Sequence, residues 1–546
     1  MTLLTTPLYC ASRFTYARRT SREVQIGNVA VGGTQPIRVQ SMTTTRTQDI
    51  DATLAQTIRL VEAGCEIVRI TAPTTADARA IGEIKRRLRA RGIQVPLVAD
   101  IHFSPAAAME AAEHVDKVRV NPGNFADQKF FRVREYTDED YAAEIARIEE
   151  RFTPLVLKCK ARGVAMRIGS NHGSLSDRIM NRYGDTPAGM VESALEFVRI
   201  ARKHDFHDIV LSMKASNPKV MIQAYPLLVA RMDEEGIDPY PLHLGVTEAG
   251  LGEDGRIKSA VGIGALLDDG LGDTVRVSLT EEPEEEVPVA QRLVAPYNAG
   301  LQFARASAVR SERVDPYAYA RRVSRPAEVG GLMIGGSQTV AVLDPPEEAV
   351  TGTPDLSRLG CVEAVPWYDA VRAYRALAAE AGDKPLHLQV AVDGDELEVL
   401  LRASTVLGSL LCDGLGDSVG LTAPLPDEVR SRMLFNILQA AGVRITKTEF
   451  VSCPSCGRTL FDLQSTTERI ASRTKHLKGV KIAIMGCVVN GPGEMADADF
   501  GYVGGSPGHV NLYVGKEVVE KAVPEAEADD RLVALIQHHG KWVDPA

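Results

Sequence analysis

Eight times between Ile37 and Leu301 a short, β-branched apolar segment is followed by an amphipathic stretch, and this alternation limits the chain to very few folds. The strand-like segments are Ile37–Met42, Glu66–Thr71, Pro96–Phe103, Lys117–Gly123, Val164–Asn171, Asp208–Ser216, Pro241–Gly250 and Thr274–Thr280. Helical patterns such as Ile50–Ala63 and Thr186–His204 separate them, and a helix over Val287–Leu301 completes the eighth unit. Eight β-then-α units predict a (β/α)8 barrel; a doubly wound open sheet typically uses fewer strands. The acidic run Glu281–Glu286 reads as a solvated loop or as the first turn of that last helix.

Polar residues gather toward the C-terminal ends of these strands. They are Arg69, Asp100, Arg119 with Asn121, Arg167 with Asn171, Lys214, Thr247 with Glu248, and Arg276 with Ser278. A barrel brings those ends to one face, where active sites lie. Cations on five separate strands repel one another at close range, and an anionic ligand, most simply a phosphate or diphosphate, resolves that conflict.

The remaining sequence bounds the function classes. The 546 residues carry a net charge of −10, which argues against nucleic acid as a partner. No apolar run reaches the ~18 residues of a membrane span. The segment Met1–Arg22 holds four arginines and no acid; it reads as an N-terminal arm rather than a targeting segment, and a cytoplasmic location is expected.

A second pattern is a repeat. Pro241–Ser278 aligns without a gap to Pro385–Thr422 at a constant offset of 144. Shared strings such as PLHL and DGLGD imply a shared local fold. The copy loses the polar strand ends: Thr247, Glu248 and Arg276 become Ala391, Val392 and Gly420. The middle of the chain is therefore expected to be a partial, barrel-like α/β unit with a structural role. His243 and His387 persist in both copies, which predicts packed, hydrogen-bonded residues.

Of eight cysteines, five are scattered among apolar neighbours and read as small buried hydrophobes. The other three cluster near the C-terminus. Cys453 and Cys456 form a Cys-x-x-Cys pair at the end of one strand, and Cys487 ends a second, Val480–Met485. The loop after Cys487 leads through Gly491-Pro492-Gly493 to Glu494. Spacing alone leaves three readings: an iron–sulfur cluster with three thiolates, a structural zinc, or a redox dithiol.

The pairing of SCPSCGRTLFDLQ with IAIMGCVVNGPGE resembles the 4-hydroxy-3-methylbut-2-enyl diphosphate synthase family. So do PLVADIHF, KVRVNPGN, RIGSNHGSL, SMKAS, HLGVTEAG and DTVRVSLT, so the resemblance spans most of the chain. It implies a [4Fe–4S] cluster on Cys453, Cys456 and Cys487, with Glu494 as an exchangeable fourth ligand. The substrate would be 2-C-methyl-D-erythritol 2,4-cyclodiphosphate, and a reduced ferredoxin or flavodoxin would supply electrons. Arg69, Arg119, Asn121, Arg167, Asn171, Lys214, Arg276 and Ser278 would hold the diphosphate, and Glu248 would give a proton to the departing hydroxyl. Asp100 reads equally as a proton donor or as a partner of a rim cation. The resemblance also implies three parts: a barrel over residues 1–302, an insertion over 303–444 and a reductase-like domain over 445–546. The last would close on its own barrel or, in a homodimer, on its partner's.

Overall fold

The barrel starts from a small hairpin. Strands β1 (Val24–Ile26) and β2 (Val29–Val31) pair antiparallel. Val24, Ile26 and Val31 pack against Ile67, Val98, Ala165 and Val210, the inward residues at the N-terminal ends of four barrel strands. This apolar plug seals the barrel floor. The computed structural model describes residues 9–125, 136–300, 314–362, 365–488, 493, 495 and 497–545.

Eight parallel strands follow: β3 (Arg38–Met42), β4 (Ile67–Thr71), β5 (Leu97–Asp100), β6 (Lys117–Val120), β7 (Ala165–Asn171), β8 (Ile209–Lys214), β9 (His243–Leu244) and β10 (Thr274–Val275). They run in the order β8-β7-β6-β5-β4-β3-β10-β9, and a bridge from Leu211 to Leu242 closes the ring. All eight expected strands are present. The last two are shorter than the sequence suggests, because their ends leave the ladder to form the polar mouth; Glu248 there adopts φ +49. The acidic run enters the helix Pro283–Asn298, with Glu284–Glu286 in its first turn. Of the two readings of this run, the first-turn one matches the structure, and Glu286 within that turn is buried and pairs with Arg276.

The middle of the chain is a fragment of the same barrel. Its hairpin, β11 (Ala327–Val329) with β12 (Leu332–Ile334), repeats β1–β2 at an offset of 303. Strands β13 (Ala341–Asp344), β14 (His387–Ala391) and β15 (Ser418–Thr422) form a parallel sheet in the order β13-β15-β14. That is the order of β3, β10 and β9, the strands they copy. Seen this way, the insertion keeps the first, seventh and eighth barrel units and omits the rest.

The two copies pack on each other through equivalent helices. Gly252–Asp268 lies against Glu396–Cys412, its counterpart at offset 144. A Cβ on Gly264 would meet Thr405, and one on Gly408 would meet Val261. Since 405 and 408 are the counterparts of 261 and 264, the interface is isologous, like that of a two-fold dimer. The equivalent carboxylates Asp269 and Asp413 share Arg375 at 2.5 and 2.8 Å, and Arg13 of the N-terminal arm adds a contact to Asp413 at 2.5 Å.

The C-terminal sheet has the order β16 (Glu449–Ser452), β17 (Lys481–Met485), β18 (Phe500–Ser506), β19 (His509–Val514) and β20 (Glu517–Pro524). Helices Leu463–Thr474 and Glu525–His538 cover its apolar core. This domain seats on the barrel mouth of the same chain. Ser452 bridges Ala249 and lies 3.3 Å from the Thr280 hydroxyl, and Lys258 pairs with Glu449 at 3.1 Å.

Candidate active site

Strand ends from both domains line one cavity between the barrel and the C-terminal sheet. Arg69 from β4, Arg119 from β6, Arg167 from β7, Lys214 from β8 and Arg276 beyond β10 line it, so all five cations meet. Asn171, Ser278, Asp100 and Glu248 line it as well, and Cys453, Cys456 and Cys487 face them from the other side. Asn121 departs from expectation. Its side chain donates to the Ser174 hydroxyl at 2.8 Å and accepts from the Gly123 N–H, so it shapes the next loop instead of lining the cavity. Glu494 lies outside the described residues.

Three of the cations, Arg69, Arg119 and Arg276, are held by neighbouring protein groups. Arg119 donates to Asp100 Oδ1 at 3.0 Å, to the Gly169 carbonyl at 3.1 Å and to Asn171 Oδ1 at 3.2 Å. Asp100 Oδ2 stands 3.7 Å from Arg69. Arg276 forks onto Glu286 at 3.0 and 3.1 Å, and Glu286 also accepts from the Ser41 hydroxyl and the Leu279 N–H. Met42 Sδ lies between Arg69 (2.8 Å) and Arg276 (2.9 Å).

Charge sets the protonation states. Burial alone would raise the Asp100 carboxyl, yet Arg119, Arg69 and His102 hold it well below the usual carboxylate range. An acid so firmly ionised favours the partner role over proton donation. Burial, compounded by Arg167 and Arg69, pushes the Lys214 ammonium well below its ordinary value. Burial and Arg458 bring His102 down to about 3, which keeps the ring neutral.

Several lining residues escaped the sequence reading, Met42, His102 and Arg458 among them. Met42 looked like an apolar strand residue. His102 follows Asp100 by two positions and so shares its inward face. Arg458 follows Cys456 by two, is half-buried, and has no protein partner for Nε or Nη1 among the described residues. His243 is packed as expected but not hydrogen-bonded: neither ring nitrogen has a partner, whereas His387 bonds Ser418 and Gln389.

The cysteine side has the character of an anionic metal centre. The Gly486 N–H donates to Cys453 Sγ at 3.2 Å, a contact that stabilises a thiolate. Burial, with Cys456 and Cys487 close by, pushes the free Cys453 thiol well above its ordinary value, a shift that a bound cation opposes. Arg458 hydrogen-bonds Cys456 and lies near Cys487, and its Nε and Nη1 have no protein acceptor among the described residues. The donor set therefore suits a thiolate-bound cluster, although among the described residues no three ligating side chains converge on a single-ion centre.

Two family models match the chain: the GcpE TIM-barrel domain over residues 21–291 and the GcpE protein C-terminal domain over residues 449–538. The chain is 52% identical to the 4-hydroxy-3-methylbut-2-en-1-yl diphosphate synthase (flavodoxin) of Akkermansia muciniphila, across 98% of this chain and 99% of that protein. It is 45% identical to the flavodoxin enzyme of Protochlamydia amoebophila, across 98% of each. It is 43% identical to the chloroplastic ferredoxin enzyme of Arabidopsis thaliana, across 98% of this chain and 89% of that one.

Proposed function

The chain belongs to the GcpE family, and we propose that in this cavity it opens the ring of 2-C-methyl-D-erythritol 2,4-cyclodiphosphate to give 4-hydroxy-3-methylbut-2-enyl diphosphate. It is an oxidoreductase of isoprenoid precursor synthesis, and its full-length relatives are named 4-hydroxy-3-methylbut-2-en-1-yl diphosphate synthase. Reduced flavodoxin or ferredoxin, the donors in those names, supplies the electrons. Two electrons and one proton convert the cyclic diphosphate to the linear one and release a hydroxyl as water. The observation that carries the reading is five cations from five strands facing three cysteines across one cavity.

A [4Fe–4S] cluster on Cys453, Cys456 and Cys487, with Glu494 as the family's fourth ligand, supplies one-electron transfer and Lewis acidity when bound. The chain's own residues do the rest. Arg69, Arg119, Arg167, Lys214 and Arg276 bind the diphosphate, with Asn171 and Ser278 adding polar contacts. A dianion favours the charged form of Lys214, which burial, Arg167 and Arg69 disfavour. Asp100 and Glu286 are positioning residues: they fix Arg119 and Arg276 so that little side-chain entropy is lost on binding. Glu248 delivers the proton to the leaving hydroxyl. Its left-handed backbone, a strain of about 1–3 kcal/mol, holds the carboxyl in the cavity near Cys453. The seated C-terminal domain excludes water, which strengthens each of these interactions.

Anaerobic purification with metal and sulfide analysis tests the reading. A brown protein with about four irons per chain, whose Lys214→Met variant keeps its absorbance but loses turnover, supports it. A colourless protein holding one zinc contradicts it.

A further inference from the structure

The turn after the Cys-x-x-Cys pair carries a cation that the barrel does not supply. The Thr459 N–H donates to the Cys456 carbonyl at 2.9 Å, and the Cys456 N–H donates to the Thr459 hydroxyl at 3.0 Å. These two bonds close a tight turn with Gly457 and Arg458 at its centre. The Leu460 N–H then donates to the Gly486 carbonyl at 3.0 Å, which ties the turn to the strand end that leads to Cys487. On its other side the turn is pressed against the barrel. A Cβ on Gly457 would stand 2.6 Å from the Thr45 carbonyl oxygen and 2.9 Å from Thr71 Oγ1, at the end of β4. That close approach requires a glycine, and it fixes where the turn delivers Arg458 between the two domains.

Arg458 is the one cation that the C-terminal domain adds to the cavity lining among the described residues. It hydrogen-bonds Cys456 and stands within electrostatic reach of Cys487 on its own side, and of Asp100 and His102 on the barrel side. Its Nε and Nη1 are buried, with no hydrogen-bond partner among the described residues. Asp100 is engaged elsewhere: it accepts from Arg119 at 3.0 Å and stands 3.7 Å from Arg69. An acceptor for Arg458 therefore has to enter the cavity from outside.

Charge indicates which acceptor. On the functional reading above, a diphosphate must approach a centre built on thiolates, and like charges at close range repel. A guanidinium is planar, permanently charged and only donates, so it can face one anion on each side and offset that repulsion. Arg458 already has a thiol on one side.

We propose that Arg458 bridges the cysteine-bound centre and the substrate, donating to Cys456 and, through Nε and Nη1, to phosphate oxygens. The proposal rests on the substrate reading given above and deepens it. A cation from the facing domain completes the ring of barrel cations, so the diphosphate is gripped from both domains.

The test uses the cluster-loaded full chain without an electron donor, so that the cyclic diphosphate binds without turning over. A crystal structure of that complex is expected to place a phosphate oxygen within about 3.2 Å of Arg458 Nε or Nη1. By calorimetry, Arg458→Gln is expected to bind the cyclic diphosphate about ten- to one-hundred-fold more weakly, the loss of a charge-assisted hydrogen bond. Arg458→Lys, which keeps the charge, is expected to recover part of that loss. Without substrate, the midpoint potential of the Arg458→Gln cluster is expected to fall, because a cationic donor to sulfur favours the reduced state. Unchanged affinity in Arg458→Gln, an unchanged potential, or a seated diphosphate with only water on Nε and Nη1 overturns the proposal. Should Arg458→Gln not hold iron, Arg458→Lys and the crystal contact decide it. A wild type that does not bind the cyclic diphosphate at all contradicts the functional reading itself, which keeps the two failures apart.

Discussion

Arg276 and Glu286 form a two-pronged ion pair at 3.0 and 3.1 Å, each almost wholly removed from solvent, between the eighth strand and the helix that follows it. The pair turns a mobile cation into a fixed one at the cavity wall. Removing one partner of such a pair leaves a buried charge alone, at a cost of about 3–5 kcal/mol. Glu286→Gln is therefore expected to lower unfolding free energy by that order and to weaken substrate binding. Chemical denaturation and a substrate titration check both effects; unchanged stability contradicts the role assigned to Glu286.

His102 gives the molecule a pH signature. Its folded value of about 3 lies below the ~6.5 of an exposed histidine, because burial and Arg458 disfavour the imidazolium. Its contribution to stability is thus fully present above pH ~6.5 and is lost as pH falls toward 3, by roughly 1.4 kcal/mol per unit. His102→Gln is expected to flatten that slope between pH 6.5 and 5, measured by denaturant midpoints. An identical slope in the two proteins contradicts it.

The isologous helix pair makes a coupled prediction. Gly264→Ala places a methyl against Thr405 and is expected to destabilise the protein by about 1–3 kcal/mol. Thr405→Ala in the same chain opens the space, so the double variant is expected to be more stable than Gly264→Ala alone. Thermal denaturation of the three variants reads the coupling, and strict additivity argues against close contact.

Much of this was legible in the sequence, for identifiable reasons. The barrel strands are fully buried, so Ile67–Thr71 or Ile209–Lys214 stand out as β-branched and apolar, and their inward cations break that pattern at the ends. The three cysteines were visible through spacing. What stayed hidden depended on direction rather than composition. An acidic run such as Glu284–Glu286 reads as solvated, although one residue in three turns inward. Asn121 has the composition of a ligand but spends its side chain on Ser174. The repeat at offset 144 is plain in the sequence, whereas the hairpin repeat at offset 303 survives mainly in glycines such as Gly32 and Gly335, both at positive φ.

Electron paramagnetic resonance of the reduced protein, recorded with and without the cyclic diphosphate, tests most directly whether the cationic ring presents its ligand to the cysteine side. A cluster signal is expected whose g-values change when substrate is added to the wild type but stay fixed in Arg119→Ala. A wild-type spectrum unaltered by saturating substrate contradicts it.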